Sequence, residues 1–439
     1  MFYIEKDKEL TTELLQKIMN KFATYVQPKL QKWKDYYDGK HNILNKTYSD
    51  KTKTCNKIVT NYCKIVTETY AGYICGKPVS YSSNNNISDV QEVINYNDDN
   101  AENIAFCTNA LIFGVAYELQ WLDKYSKTRY SQVNPLNAFA VYDNTLDNNL
   151  LYFVRWYDVD SLDDNKEMIV EVYSASSIKR YKTDSIGGSL AFIEEIPHYF
   201  GDVPVSVFWL NETTEDNIFN CIVSLNDAYN ELQSCEIDDF SAFCDAYLTL
   251  AGMDAEKEDI AEMKENRVLI LPTGGTAKWL TKNASDTQIV NMLDNIKRNI
   301  FNVSSCPNMS DETFLAQSGT ALAYKLVGFE NVASGIVAKF TKAIQRRIEL
   351  ICNILNLKAS DAIWRDIQIN FVRNLPVNLT ETINLVNSLK GTVSDATLLA
   401  QIPFIADVDA ELEAIQNQKQ NNMALYNFGD NLTDKEDIA

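Results

Sequence analysis

The stretch TALAYKLVGFENVASGIVAKFTKAIQRRIELICNIL, residues 320–355, decides the fold. It contains no proline. Leu322, Leu326, Phe329, Val332, Ile336, Phe340, Ile344, Ile348 and Ile351 recur at steps of three and four, the spacing that lines one face of an α-helix. At about 1.5 Å per residue such a helix runs for about 50 Å. A small domain has no use for that length, whereas a radial spoke or strut does.

Immediately before it lies SSCPNMSDETFLAQSG (304–319), irregular and broken by one proline. Further back, Ser285 and Gln288 have the spacing of a capping box. Ile289, Val290, Leu293, Ile296 and Ile300 then predict a helix ending near Val303. Arg267–Pro272 and Ala277–Leu280 read as two strands around Gly274-Gly275. Residues 214–248 read as another helix, in which Ile218, Ile222, Leu225, Tyr229 and Leu232 form a narrow packing seam.

Toward the N-terminus, residues 9–37 carry a helical pattern interrupted at Pro28. Residues 56–75 predict a second helix with Ile58, Val59, Tyr62, Ile65, Val66, Thr69 and Tyr70 on one face, stopped by Gly76 and Pro78. Residues 84–100 are polar and turn-rich at both ends. From about 101 to 210 the pattern is β-like, with alternating runs at 117–121, 138–142, 151–156 and 168–173. After the long helix come a short strand (Ile367–Val372), a helix capped by Asn378 with Glu381, and helical segments to about Gln420. The fold class is α+β.

The chain has 439 residues, of which 46% are apolar and 23% charged. That suffices for two or three hydrophobic cores. No apolar run approaches the ~20 residues of a membrane span. Met1–Glu13 mixes charges without an apolar centre, unlike a signal peptide, so a cytoplasmic site of synthesis and use is expected. The nine cysteines include no CxxC pair and read as reduced core thiols. Net charge is −20, unevenly spread: residues 1–64 hold 13 lysines against 7 acids, the remainder 27 cations against 53 acids. An acidic body is a poor high-affinity duplex binder, because phosphate neutralisation supplies most of that affinity. It suits a surface that DNA passes without sticking, although ordinary solubility charge would look the same.

Catalytic chemistry is hard to find. Only His41 and His198 exist, which argues against a His-based triad or a multi-histidine metal centre; both read as structural. Gly72-Tyr73-Ile74-Cys75-Gly76-Lys77-Pro78 resembles a phosphate-binding loop superficially. Its glycines are one residue too close, and Pro78 stands where a Ser or Thr hydroxyl is needed. Asp98/Asp99 and Asp238/Asp239 could seed a two-metal site, but adjacent side chains on a helix diverge. No cofactor or metal is expected, and a structural or assembly role is favoured over an enzyme.

Four segments go beyond pattern. Tyr36-Tyr37-Asp38-Gly39-Lys40-His41-Asn42-Ile43 followed by NKIVTNYCKIVTETYAGYICGKPVSY (56–81) resembles the N-terminal signature of portal proteins of long-tailed phages of Gram-positive bacteria. HYFGDVPVSVFWLNE (198–212) leading into LNDAYNELQSCEIDDFSAFCDAYL (225–248) looks like that family's strand and first stem helix. CPNMSDETFLAQSGTALAYKL (306–326) resembles its link from the second stem helix to the long helix, and 369–415 its C-terminal region. Asn226 and Cys235 stand where the family usually has Asp or Ser.

The resemblance implies a dodecameric homo-oligomeric ring through which double-stranded DNA passes non-specifically. Residues 1–210 would be the wing, 211–249 the first stem helix, 250–284 the clip and 285–304 the second stem helix. Residues 305–318 would be the tunnel-loop region, 319–375 the long wing helix and strand, and 376–439 the crown and tail. In this frame Ile218, Ile222, Leu225, Tyr229, Leu232, Leu293 and Ile296 form the stem seam. Leu269, Leu271 and Trp279 belong to the clip, and Asn308, Met309, Ser310, Phe314 and Gln317 touch DNA by sterics. The implied partners are the large terminase subunit, the major capsid and scaffold proteins, and a head-tail adaptor; no membrane is involved. The implied location is the capsid vertex of the virion, and the host cytoplasm during assembly. The lysine-rich first 64 residues would face acidic capsid or scaffold surface. Another virion structural protein, or a nucleotide-dependent packaging enzyme, are the alternatives.

Overall fold

A computed structural model describes residues 1–49, 54–160, 167–211, 216–244, 248–251, 276–279, 286–309, 319–355, 363–374, 379–402, 405, 408 and 411–419. The N-terminal part contains β1 (Phe2–Ile4), α1 (Thr12–Lys21), α2 (Gln27–Tyr37), α3 (Tyr62–Cys75), β2 (Ser80–Ser82), α4 (Ser88–Tyr96) and α5 (Asp99–Phe113). Eight strands follow: β3 (Val115–Leu122), β4 (Thr128–Val133), β5 (Ala138–Asp143), β6 (Leu150–Asp158), β7 (Met168–Tyr173), β8 (Ser177–Thr183), β9 (Ala191–Pro197) and β10 (Val205–Trp209). Then come α6 (Val223–Cys244), β11 (Leu248–Ala251), β12 (Thr276–Trp279), α7 (Asp286–Val303) and the long α8 (Gly319–Ile354). The described chain closes with α9 (Ile363–Asp366), β13 (Gln368–Asn370), α10 (Leu379–Leu389), α11 (Asp395–Leu399) and a helical stretch at 411–419. The mixed helix-and-sheet architecture is the expected α+β class.

The strands form a six-stranded sheet in the order β1-β5-β6-β7-β8-β9 and a three-stranded sheet β10-β3-β4. The long helix lies across β10 and packs on α3. Leu326, Phe329, Ile336, Phe340, Ile344, Ile348 and Ile351 are buried, as the periodicity requires. Phe340 stacks on Phe208 of β10 at 4.9 Å and takes the edge of Phe106 from α5 at 5.8 Å. Strand β3 is therefore covered on both faces along most of its length.

One ionic node ties these layers together. Arg347, fully buried in α8, donates from Nε to Glu118 of β3 at 2.7 Å. Its Nη1 reaches Asp99 at 2.7 Å and Asn103 at 2.8 Å on α5. The guanidinium also lies 4.5 Å from the Tyr130 ring centre. Burial pushes the Glu118 carboxyl up while Arg347 pulls it down. Asp99, half of one candidate metal pair, also accepts from Tyr81 and Tyr130. It is thus a structural counter-ion.

Several elements differ from expectation. The break in the first helix falls at a π turn, Phe22–Val26, and Pro28 sits in the first turn of α2. Proline lacks the N–H and crowds the preceding turn, so a widened turn just before it relieves both problems. Residues 99–113 are helical, not β-like; the dense apolar run hid its period. Gly114, at φ +80°, caps α5 and turns the chain straight into β3. Gly76 is the C-cap of α3, and only glycine fits there: a Cβ would lie 2.2 Å from the Gly72 carbonyl oxygen. Strand β13 pairs antiparallel with β2, which joins the C-terminal strand to the N-terminal region.

Candidate functional site

Two antiparallel helices, α6 and α7, pack against each other on one side of the core. Between them in sequence lies the 245–285 excursion. Its described strands β11 and β12 pair antiparallel, with Leu248 opposite Trp279. The strand expected at 267–272, with Leu269 and Leu271, lies outside the described residues, as does the capping serine Ser285.

The seam is only partly as expected. Leu225, Tyr229, Leu232, Leu293 and Ile296 are half-buried between or beside the helices. Ile218 and Ile222 precede α6, which begins at Val223. Ile222 ends a short 3-10 turn (Asn220–Ile222), and Ile218 lies in the turn before it, docked on α5: Ile218 N–H donates to Leu111 O at 3.1 Å and Asn217 Nδ2 to Ile112 O at 3.1 Å. Asn217 thereby ends the helical run that sequence spacing extends through it. Tyr62 joins the two helices to the core, meeting Tyr229 edge-on at 5.1 Å and Phe301 at 5.8 Å.

The opposite face of α6 is buried and polar. Asn226, Asn230, Ser234 and Asp238, four residues apart, are all at most 9% exposed. Residues 56–61, expected as helix, are instead extended and run along this face. Asn56 N–H donates to Asp238 Oδ1 at 2.7 Å, Ile58 N–H to Ser234 Oγ at 3.0 Å, Thr60 N–H to Asn230 Oδ1 at 2.9 Å and Tyr62 N–H to Asn226 Oδ1 at 3.1 Å. Two residues of extended chain advance about 6.2–6.8 Å and four residues of helix about 6.0 Å. The two repeats stay in step over four rungs. The rungs stay in step only while the segment is extended, so α3 begins at the last rung, Tyr62, whose N–H needs a partner outside the helix in any case; Asn61 caps it.

Further contacts lock the same segment. Tyr36 and Asn42 both donate to Asp227 Oδ2, at 2.7 and 2.9 Å. Asp238 accepts from Tyr48 at 2.8 Å and pairs with Lys46 at 3.3 Å. Burial favours the neutral acid, but the donors Asn56, Tyr48 and Lys46 outweigh it and hold the Asp238 carboxyl below its ordinary range. His41 is buried; its Nδ1 lies 2.9 Å from Asn230 Nδ2 and its Nε2 3.0 Å from Tyr36 O. Because Asn230 spends its oxygen on Thr60, its amide nitrogen faces His41. Nδ1 must then accept and Nε2 carry the proton. Desolvation lowers the His41 pKa. His198 is half-buried and bonds Ser174 O at 2.9 Å. Both histidines thus have the structural surroundings expected of them, and Asp238 of the second candidate metal pair is a rung of the ladder. Among the described residues no cluster of three or more His, Cys, Asp or Glu could hold a metal ion.

Helix α7 presents a different surface. Gln288, Asn291, Asn295, Asn299 and Asn302 recur at steps of three and four, and all are exposed. At the C-terminal end of this amide stripe the chain turns through Ser304 and Ser305, with Ser304 O accepting from Tyr70 at 2.9 Å. Asn308 and Met309 follow, Met309 exposed; Ser310, Phe314 and Gln317 lie outside the described residues. A cavity of about 510 Å³ opens here, bounded by Lys297, Arg298, Asn308 and Lys325, with Asp294 on the same wall.

The family model described as phage portal protein, SPP1 Gp6-like, matches residues 17–424. The chain belongs to this portal family. A portal protein of Bacillus phage SPP1 is 22% identical over 409 residues, covering 88% of this chain and 80% of the relative. A solved chain described as the neck of an empty GTA particle computed with C6 symmetry aligns with a TM-score of 0.48 at 11% identity, over 77% of this chain and 88% of that one. The portal-family match takes in the ladder, both helices and the long helix. The ladder itself escaped the sequence reading. Its signal was a run of short acceptor side chains at every fourth position of a helix with no lysine or arginine.

Proposed function

We propose that this chain is the ring subunit that surrounds the DNA channel at a capsid vertex. In this reading many copies, twelve in the family pattern, join head to tail around an axis, since a heterologous contact closes into a ring when its rotation does. Helices α6 and α7 form the bore. Residues 1–210 with the long helix form the wing, 250–284 the clip, 305–318 the tunnel-loop region and 376–439 the crown and tail. Double-stranded DNA passes without base reading. The ring serves genome packaging and ejection and offers docking sites to the large terminase subunit, capsid and scaffold proteins, and a head-tail adaptor. It assembles in the host cytoplasm and remains in the virion.

The observation that carries the reading is the portal-family match across an antiparallel helix pair braced on one face and open on the other. Among the described residues no helix is long and apolar enough to cross a membrane. Negative-stain electron microscopy of the purified protein tests the proposal. Rings with rotational symmetry and a central hole are expected; shells, tubes or monomers at micromolar concentration would overturn it.

A further inference from the structure

We infer that neighbouring copies are joined by strand addition: the exposed edge strand β9 of one copy lies along the free edge of β10 in the next. The inference rests on the ring reading above and deepens it by naming one contact that holds the ring. Strand β10 ends the three-stranded sheet. Along its pairing with β3, Leu210 N–H donates to Gly114 O and Gln120 N–H to Pro204 O. Bonding directions alternate along an antiparallel pair, so the Val207 N–H and C=O and the Trp209 N–H point away from β3. Among the described residues no strand meets them there. They border a cavity of about 930 Å³ walled by β1, the β5–β6 turn, β10 and the long helix α8. Lys339 and Arg346 of α8 donate to the carbonyls just outside β10, Leu210 O and Val203 O. The middle of the strand is left open. Val207, Trp209 and Leu150 give the cavity an apolar floor, and Lys6 and Lys342 add positive charge to its walls. Of its three carboxylates, Asp143 is taken up by Thr145 and Asn149 of its own turn and Asp202 by Arg346, which leaves Asp147.

The second observation is what lies across the subunit. Strands β1 and β9 are the two ends of the six-stranded sheet, five strand spacings or about 24 Å apart. A receiving groove beside β1 and a donating strand at the far end are what a head-to-tail contact needs. Six of the seven β9 residues are exposed, among them Phe192 and Ile193. An uncovered edge of this length and apolarity is a template for pairing. Its charges fit the groove. Glu194 and Glu195 are exposed; Glu194 pairs with Arg180 of its own copy, and Glu195 accepts from the Ser177 hydroxyl. Among the described residues Lys342, which faces the cavity, makes no ion pair. In the joined arrangement the apolar side chains of β9 enter the groove and its carboxylates meet the ammonium groups of Lys342 and Lys6. Leu146, wholly exposed on the cavity rim near the exposed Tyr3, is covered by the same contact.

The test uses the full-length protein. Isotope-labelled and unlabelled chains are assembled together and treated with a carbodiimide, which condenses a lysine amine with a carboxylate in contact with it. Mass spectrometry should find mixed-label peptides that join Glu194 or Glu195 of one copy to Lys342 or Lys6 of another. Charge reversal gives the second measurement. Lys342→Glu alone and Glu195→Lys alone should each raise the protein concentration needed for half-assembly by at least about tenfold. The two together in one chain should restore it to within about threefold of wild type, because the pair is coupled. Both positions are exposed, and unchanged circular dichroism shows that the fold survives. Assembled protein without the mixed-label links would overturn the strand contact. So would single reversals that assemble like wild type, or a double reversal no better than the worse single one. Linked oligomers that are not rings would leave the strand contact standing and fault the ring reading, so the two failures are told apart.

Discussion

Single residues set the register of the ladder. Ser234 is the shortest of its four acceptors and is itself buried, and it accepts from the half-buried Ile58 N–H. Ser234→Ala should cost about 1 kcal/mol, the usual net worth of one hydrogen bond; a urea titration showing unchanged stability would remove the ladder's claim to matter. His41 gives a pH signature. It is held neutral in the fold, with its pKa lowered by desolvation, while an unfolded histidine titrates near 6.5. The unfolded state therefore binds more protons below that value. The contribution is fully present above about 6.5 and is lost as pH falls toward the folded value. Thermal melts between about pH 7.5 and 5 should show a decline that is shallower in His41→Gln than in wild type. Some decline will persist, because His198 is shifted in the same direction.

At the scale of elements, α6 divides its labour between two faces. The polar face holds residues 56–62, and the half-buried seam with Leu225 meets α7 with Leu293. A charge placed in that seam loses its hydration without a partner. Leu225→Asp or Leu293→Asp should abolish rings while leaving most helical circular dichroism intact; normal rings from both variants would mean that the pair does not form the bore. The long helix was legible because a single face of nine apolar residues survives with no proline in the run. The 56–61 segment was not legible as extended. Ile58, Val59 and Tyr62 fit a helical face as well as they fit a strand, and the partners that choose between them lie over 160 residues away. The start of α6 was misplaced for a similar reason: the residues that halt it belong to α5.

Across the whole molecule, ionic groups are placed with economy. The deepest, Arg347, anchors the strut to α5 and β3 at once. Such a node fixes geometry more than it adds net stability, because desolvation offsets much of the Coulomb attraction. The lysine-rich N-terminal region is partly spent inside the subunit, with Lys46 committed to Asp238 and Glu231. The net charge of −20 is not spread evenly over the helices: the exposed stripe of α7 is amide. Net charge is a sum over the chain and carries no information on which face holds which sign.

Hydrophobic periodicity in the sequence determined the long helix, the α7 helix, most of α6 and four of the strands, because local burial patterns repeat within a few residues of one another. Ordered motif likeness pointed to the portal family, and the family match agrees. Only the tertiary structure decided the polar ladder, the Arg347 node and the convergence of Lys297, Arg298 and Lys325. Each joins side chains from separate elements, so their meeting depends on how the elements pack and leaves no short-range trace in the chain.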